Sequence, residues 1–253
     1  LLLETAGVPL CGICAPGVVG LCEALPKGFF SRFAVLSAPH QKWTPEEQDF
    51  IRKWECSTGI LFSNSLRDTI ALRRIGVKNL FGAKARWRGM LMQRSFRFPH
   101  RVRHRLNAPH HALKYLSIVN ALGAPHWDGM FPVLTPRIPL EQINPELAAL
   151  REHPNVLLMA AGAAYGAGKR WPSEFYHEVA VWQVERGGLV AVLGSQSETP
   201  IGDEIVPDLP PSKASNLCGE TNFSELLHLF RGARAMVAND SGLMHLAAAV
   251  GLP

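Results

Sequence analysis

"VLLMAAGAAYGAGKRWPSEFYHEVAVWQVERGGLVAVLGS" occupies residues 156–195 and settles the class of fold. Residues 156–162 form an unbroken apolar run that reads as a buried strand. A glycine-rich loop follows, and Pro172 opens the helix "PSEFYHEVAVWQVERGG". "LVAVLGS" (189–195) is the next strand. Strand, helix and strand in succession predict a crossover unit in a parallel sheet. The pattern continues downstream. "NFSELLHLFRG" (222–232) is a helix with Asn222 and Glu225 in capping-box spacing and Gly232 just past its end. "AMVAND" (235–240) is a strand, and "LMHLAAAV" (243–250) is a helix.

The same alternation fills the first half. "FAVLSA" (33–38) and "GILFSNS" (59–65) read as strands, the second running into a polar loop. "TPEEQDFIRKW" (44–54) reads as a helix capped by Thr44, with Pro45 at its first position. "LRDTIALRRIG" (66–76) and "HALKYLSIVNALG" (111–123) are helices closed by Gly76 and Gly123. Between the halves, residues 131–154 hold Pro132, Pro136, Pro139, Pro145 and Pro154. The chain is therefore expected to form two α/β domains with parallel sheets, 1–135 and 155–253, joined by a linker at 136–154.

Composition narrows the partners. The formal net charge is +5, but no acidic residue stands between Asp68 and Asp128. That stretch, 69–127, holds twelve cations: Arg73, Arg74, Lys78, Lys84, Arg86, Arg88, Arg94, Arg97, Arg101, Arg103, Arg105 and Lys114. It attracts nucleic acid, an anionic membrane surface or an anionic acceptor, unless it is only a solvated face. The aromatics there are few, and no RNP, zinc or helix-turn-helix signature accompanies them. The arm "KARWRGMLMQRSFRF" mixes its cations with Trp87, Met90 and Phe96, as docking at an anionic membrane would require. No apolar run reaches the roughly 18 residues of a membrane span. The five cysteines, Cys11, Cys14, Cys22, Cys56 and Cys218, lack a disulfide pattern and fit a reducing cytoplasm. Cys11-x-x-Cys14 has no second ligand pair, so buried thiols explain it better than zinc. The chain opens on Leu1 without the charged flank of a signal peptide, and reads as the start of a fragment.

In open parallel sheets ligands bind beyond the carboxyl ends of strands, so the loops there carry the candidate chemistry. "AGAAYGAGKRWP" (161–172) brings glycines, Lys169 and Arg170 to a helix start, an anion site or a plain basic turn. It fails the Walker A pattern at Ala163 and Arg170. In "GSQSE" (194–198), Glu198 either accepts ribose hydroxyls or lies in a solvated loop. In "VANDSGLMHLAAAVGLP" (237–253), Asp240, Ser241 and Gly242 stand at a helix start, and His245 follows on the same face as Ser241. They hold a ligand, or they cap the helix while His245 supports the loop. No D-x-D pair is present for a metal-held nucleotide sugar.

"AGAAYGAGKRWP", "NLCGETNFSEL" and "VANDSGLMHLAAAVGLP", in this order and at these separations, resemble the lipopolysaccharide heptosyltransferases of glycosyltransferase family nine, most of all the heptosyltransferase II type. "ILFSNSLRDTIALRRIGVKNLFGAKARWRGMLMQ" and "HHALKYLSIVNALG" extend the resemblance into the first half. It implies a GT-B fold of two Rossmann-like domains, here truncated at both ends. It further implies inverting, metal-independent and cofactor-free heptose transfer from ADP-heptose to the anionic inner core of lipopolysaccharide. The donor would lie on Lys169, Glu198, Thr221, Asp240, Ser241, Gly242 and His245. The acceptor would meet Asn64, Ser65, Arg86 and Arg88 in the first domain. The family's general-base aspartate is expected upstream of Leu1, so no catalytic residue is assigned. The resemblance also implies a cytoplasmic enzyme, peripheral at the inner membrane. The alternatives are another nucleotide-sugar donor on the same fold, or nucleic acid on the basic stretch.

Overall fold

The computed structural model describes residues 8–38, 41–96, 112–125, 133–162 and 170–253. The chain divides into two compact units: Leu1–Val19 with Lys27–Met130, and Gly20–Pro26 with Phe131–Pro253. Among the described residues every strand pairing is parallel.

In the first unit β1 (Cys11–Cys14) pairs with β2 (Arg32–Val35), and β3 (Thr58–Leu61), β4 (Asn79–Ala83) and β5 (Arg94–Phe96) form a second sheet in that order. One apolar core spans both sheets, with Ala34, Leu36, Trp43 and Ile51 packed with Leu61, Ile75 and Leu80. A cavity of about 490 Å³, lined by β1 and β3 together with Trp43, Trp54 and Leu72, lies between the two sheets. Cys11 and Cys14 fall on one strand, three residues apart, and so point to opposite faces. That geometry does not make half of a zinc site. The predicted caps form: Thr44 and Glu47 make a full capping box on α2 (Pro45–Arg52). Gly76, at φ +100°, ends α3 (Leu66–Arg74) in the left-handed region that L side chains avoid. A further helix, α4, covers Ala112–Asn120.

The second unit begins with most of α1 (Val19–Ala24) and carries the sheet of β6 (Val156–Ala160), β7 (Leu189–Val192), β8 (Ala214–Asn216) and β9 (Ala235–Ala238). Their order is β8-β7-β6-β9. Helices cover both faces, and side chains alternate between them. Val156, Leu158, Ala191 and Leu193 enter one core with α5 (Pro145–Glu152), α8 (Phe223–Gly232) and α9 (Gly242–Ala249). Met159, Val190 and Val192 enter another with α6 (Ser173–Glu185) and α7 (Thr199–Ile205). Burial on both faces is why these strands read as continuous apolar runs.

Residues 136–154, read as a linker, carry a short 3-10 turn at Leu140–Gln142 and α5, capped by the Asn144 side chain. Ile143 and Leu147 are buried in the first of these two cores. Gly232 also has a different reason from the expected one. It is the last residue of α8, and a Cβ there would stand 2.2 Å from the Arg151 carbonyl oxygen of α5. The glycine permits close helix approach, not a left-handed turn.

Leu158 is fully buried on the central strand. Leu158→Ala should lower the stability of this unit by about 2–5 kcal/mol, seen as an earlier urea midpoint at unchanged slope.

Candidate functional site

The sheet of the second unit reverses direction at β6. The chain runs outward from β6 to β7 and β8, then returns to the other flank of β6 as β9. In open parallel sheets such a reversal marks the crevice where ligands bind, beyond the carboxyl ends of the two strands that flank it. Asn239 fixes its floor. This side chain is buried and fully used: its Nδ2 donates to the Ala161 carbonyl at 2.5 Å, and its Oδ1 accepts the Trp171 N–H at 3.0 Å. Its own N–H donates to the Ala160 carbonyl at 3.1 Å. One residue of the β9 loop thus holds both ends of the loop after β6. Lys169 lies outside the described residues; Arg170, next to it, is exposed.

Beside this clamp α9 starts. The Ser241 hydroxyl accepts the Met244 N–H at 3.5 Å and so serves as N-cap. The N–H groups of Gly242 and Leu243 lie in the unsatisfied first turn, at the positive end of the helix. A Cβ built on Gly242 would meet nothing within 4 Å, and its backbone φ is outside the left-handed region. Among the described residues neither packing nor conformation demands a glycine there. His245 Nε2 lies 3.6 Å from Asp240 Oδ1, with both side chains more than half exposed. Such a pair adds little stability in water. Its carboxylate and imidazole instead face solvent at the rim of the crevice.

Glu198 lies one strand further along. Its Oε2 accepts the Ser195 N–H at 2.6 Å and the Ser195 hydroxyl at 2.8 Å, closing a capping box on the turn Gln196–Glu198. Its Oε1 sits where a side chain on Gly162 would begin, 1.6 Å from that Cβ position. Gly162 is thus required for the carboxylate to lie against the end of β6. Cys218, beyond β8, is buried beside it, and burial pushes its thiol up to about 11, helped by the negative charges of Glu198, Asp203 and Glu220. Thr221, half-buried, follows in the same loop. Thr221, Glu198, Gly162 and Asp240 thus follow β8, β7, β6 and β9 in spatial order, across three strand spacings or about 14 Å.

The first unit places its candidates differently. Asn64 is exposed after β3. Ser65 caps α3, its hydroxyl accepting the Asp68 N–H at 3.1 Å. Arg88 departs from the expected acceptor contact: it is 0% exposed. Its guanidinium donates to the carbonyls of Ala83 and Ser63, tying the loops after β4 and β3 together. Desolvation lowers its pKa, against the opposing pull of Asp68. Asp68 in turn accepts from Trp43 Nε1 at 3.2 Å and from the Ser63 hydroxyl at 3.1 Å. Arg88 is a positioning residue for the Ser63–Ser65 loop. Arg86 opens the 3-10 turn Arg86–Leu91, and its side chain lies outside the described ones.

One residue escaped the sequence: Asn239, visible only as part of a polar break, whose two partners lie 68 and 78 residues away. Arg88 was named, but for the acceptor, because nothing in the sequence sets it apart from the eleven other cations of its stretch.

Asn239→Ala leaves the Ala161 carbonyl and Trp171 N–H without these partners and should cost about 1–3 kcal/mol in urea unfolding. With its thiol raised to about 11, Cys218 should resist alkylation by iodoacetamide at mildly alkaline pH in the native chain and react on denaturation, as read by peptide mass mapping.

The model of glycosyltransferase family 9 (heptosyltransferase) matches residues 55–253. Lipooligosaccharide heptosyltransferase 2 of Haemophilus influenzae is 39% identical over 117 residues, 45% of this chain and 34% of that protein. Lipopolysaccharide heptosyltransferase 2 of Escherichia coli is 39% identical over 95 residues, 36% of this chain and 27% of that protein. These alignments span about a third of the relatives' length or less. The solved structure of E. coli ADP-heptose LPS heptosyltransferase II superposes with a TM-score of 0.74 at 22% identity, over 100% of this chain and 76% of that one. A family 9 glycosyl transferase from Veillonella parvula gives a TM-score of 0.81 at 16% identity, over 100% and 72%. These likenesses show the GT-B class of fold. By the match over residues 55–253, the chain belongs to glycosyltransferase family 9, the heptosyltransferases.

Proposed function

We propose that the second unit binds ADP-heptose along the carboxyl edge of its sheet, and that the protein transfers the heptose to the inner core of lipopolysaccharide with inversion. The order of the loops carries this reading. A nucleoside diphosphate sugar is a linear sequence of base, ribose, diphosphate and sugar. Thr221, Glu198, Gly162 and Asp240 follow the same sequence along the edge. Each station has fitting chemistry. Glu198 offers a carboxylate to ribose hydroxyls. Lys169 and the N–H groups of Gly242 and Leu243 suit the diphosphate. Asp240 suits sugar hydroxyls, since a carboxylate would repel phosphate. Ser241 holds the turn, and His245 steadies Asp240 or touches the donor. The first unit takes the acceptor on Asn64 and Arg86, with Ser65 and Arg88 fixing the loop that presents Asn64. The acceptor is membrane-anchored, so peripheral contact with an anionic membrane surface belongs to the same reading.

A Cβ on Gly242 would meet none of the described residues, and this supplies the test. Gly242→Ala should leave the fold intact or raise its stability by up to about 1 kcal/mol. Its methyl group would meet the donor, and ADP-heptose affinity should fall about tenfold or more in isothermal titration calorimetry. Unchanged affinity in the variant would overturn the placement of the donor. Tighter binding of a UDP-sugar than of ADP-heptose to the wild-type chain would transfer the site to another donor.

A further inference from the structure

The 3-10 turn Arg86–Leu91 of the first unit has two unlike faces. In a 3-10 helix, side chains three residues apart eclipse one another. Arg88 and Leu91 share one face, with Arg88 fully buried on the carbonyls of Ala83 and Ser63 and Leu91 half-buried. Trp87 and Met90 share another, and they are 77% and 80% exposed, the highest values among the large hydrophobic residues described. The turn is anchored from a second side: Arg73 Nε donates to the Leu91 carbonyl at 2.7 Å. A large aromatic and a thioether are thus held outward on a fixed platform, against the usual cost of exposing apolar surface.

The exposed charges that flank the turn along the chain are of one sign, the carboxylate of Asp68 acting on buried Arg88. Lys84 precedes the turn and Arg94 follows it, both exposed, with the Arg94 guanidinium 5.0 Å from the Phe96 ring centroid. No acidic residue occurs anywhere in 69–127. Paired apolar anchors flanked by exposed cations match one partner in both respects. A bilayer interface accepts Trp at headgroup depth, and anionic headgroups attract the cations. Duplex nucleic acid would use the cations but leaves Met90 without a reason.

We propose that the Arg86–Leu91 turn is a docking element for an anionic lipid surface, with Trp87 and Met90 entering the interface and Lys84 and Arg94 contacting headgroups. It rests on the membrane-anchored acceptor of the preceding reading only for its purpose, because lipid binding needs neither donor nor transfer.

The test is co-sedimentation of the 253-residue chain with two kinds of vesicle, phosphatidylcholine alone and phosphatidylcholine mixed with phosphatidylglycerol. The chain should partition onto the mixed vesicles, weakly onto the neutral ones, and less in high salt. The W87A/M90A double variant should lose about tenfold or more in partitioning while its circular dichroism and ADP-heptose affinity stay unchanged. K84Q and R94Q should each lose about fivefold on the anionic vesicles alone. Partitioning of W87A/M90A equal to wild type, equal binding to both vesicles, or binding to a duplex oligonucleotide without binding to vesicles would overturn the assignment. Loss of ADP-heptose binding with lipid binding retained would count only against the donor reading.

Discussion

In the second unit β9 pairs with β6, from Leu157 beside Ala235 to Ala160 beside Ala238. Had it instead added beyond β8, the chain would have wound in one direction only, and no crevice would open at the sheet's carboxyl edge. Placed on the opposite flank, β9 brings Asn239 under both ends of the loop after β6 and starts α9 beside the gap. The pairing is stabilised by two apolar cores, one on each face of β6, and both must form for the central strand to be buried. Chemistry at the rim is therefore inherited from burial at the centre.

Three glycines of this unit show how different constraints look alike in a sequence. Gly232 exists so that α8 can touch the backbone of α5, and Gly162 so that the Glu198 carboxylate can lie over the end of β6. Gly242 has no neighbour among the described residues that explains it. Internal packing requires the first two, whereas the third makes sense as room for something external. The structure separates these cases, which the letters G do not.

Long amphipathic or apolar segments were legible in the sequence because their periodicity comes directly from burial. β6, β7, α6 and α8 fall where "VLLMAAG", "LVAVLGS", "PSEFYHEVAVWQVERGG" and "NFSELLHLFRG" place them. The Thr44 cap of α2 and the capping-box pair Asn222 and Glu225 of α8 were readable because each lies within one turn of sequence. What escaped was weakly patterned or non-local. β1, β4, β5 and β8 are as short as β6 and β7 but, as CGIC, NLFGA, RSF and ASN, lack their unbroken apolar run. α5 was masked by its proline-rich surroundings, although Pro145 occupies the first turn, where proline is tolerated. At the candidate site, residue types were readable but their partners were not. Arg88 looked like any other cation, and only the carbonyls of Ser63 and Ala83 turn it inward. Glu198 and Asp240 were named one by one. Their order along an edge depends on strand topology, which no local pattern contains.

The Asn239 clamp has a kinetic side as well. Its bond to Ala161 joins positions separated by 78 residues, and β6 must wait for β9 across a comparable span. Non-local parallel pairing of this kind closes a large loop before its contacts compensate for the lost entropy, so it forms late. Until residues 235–242 have emerged from the ribosome, β6 keeps one open edge and the crevice does not exist. During synthesis the chain thus passes through an interval in which its core strands are made but its ligand cannot yet assist their folding.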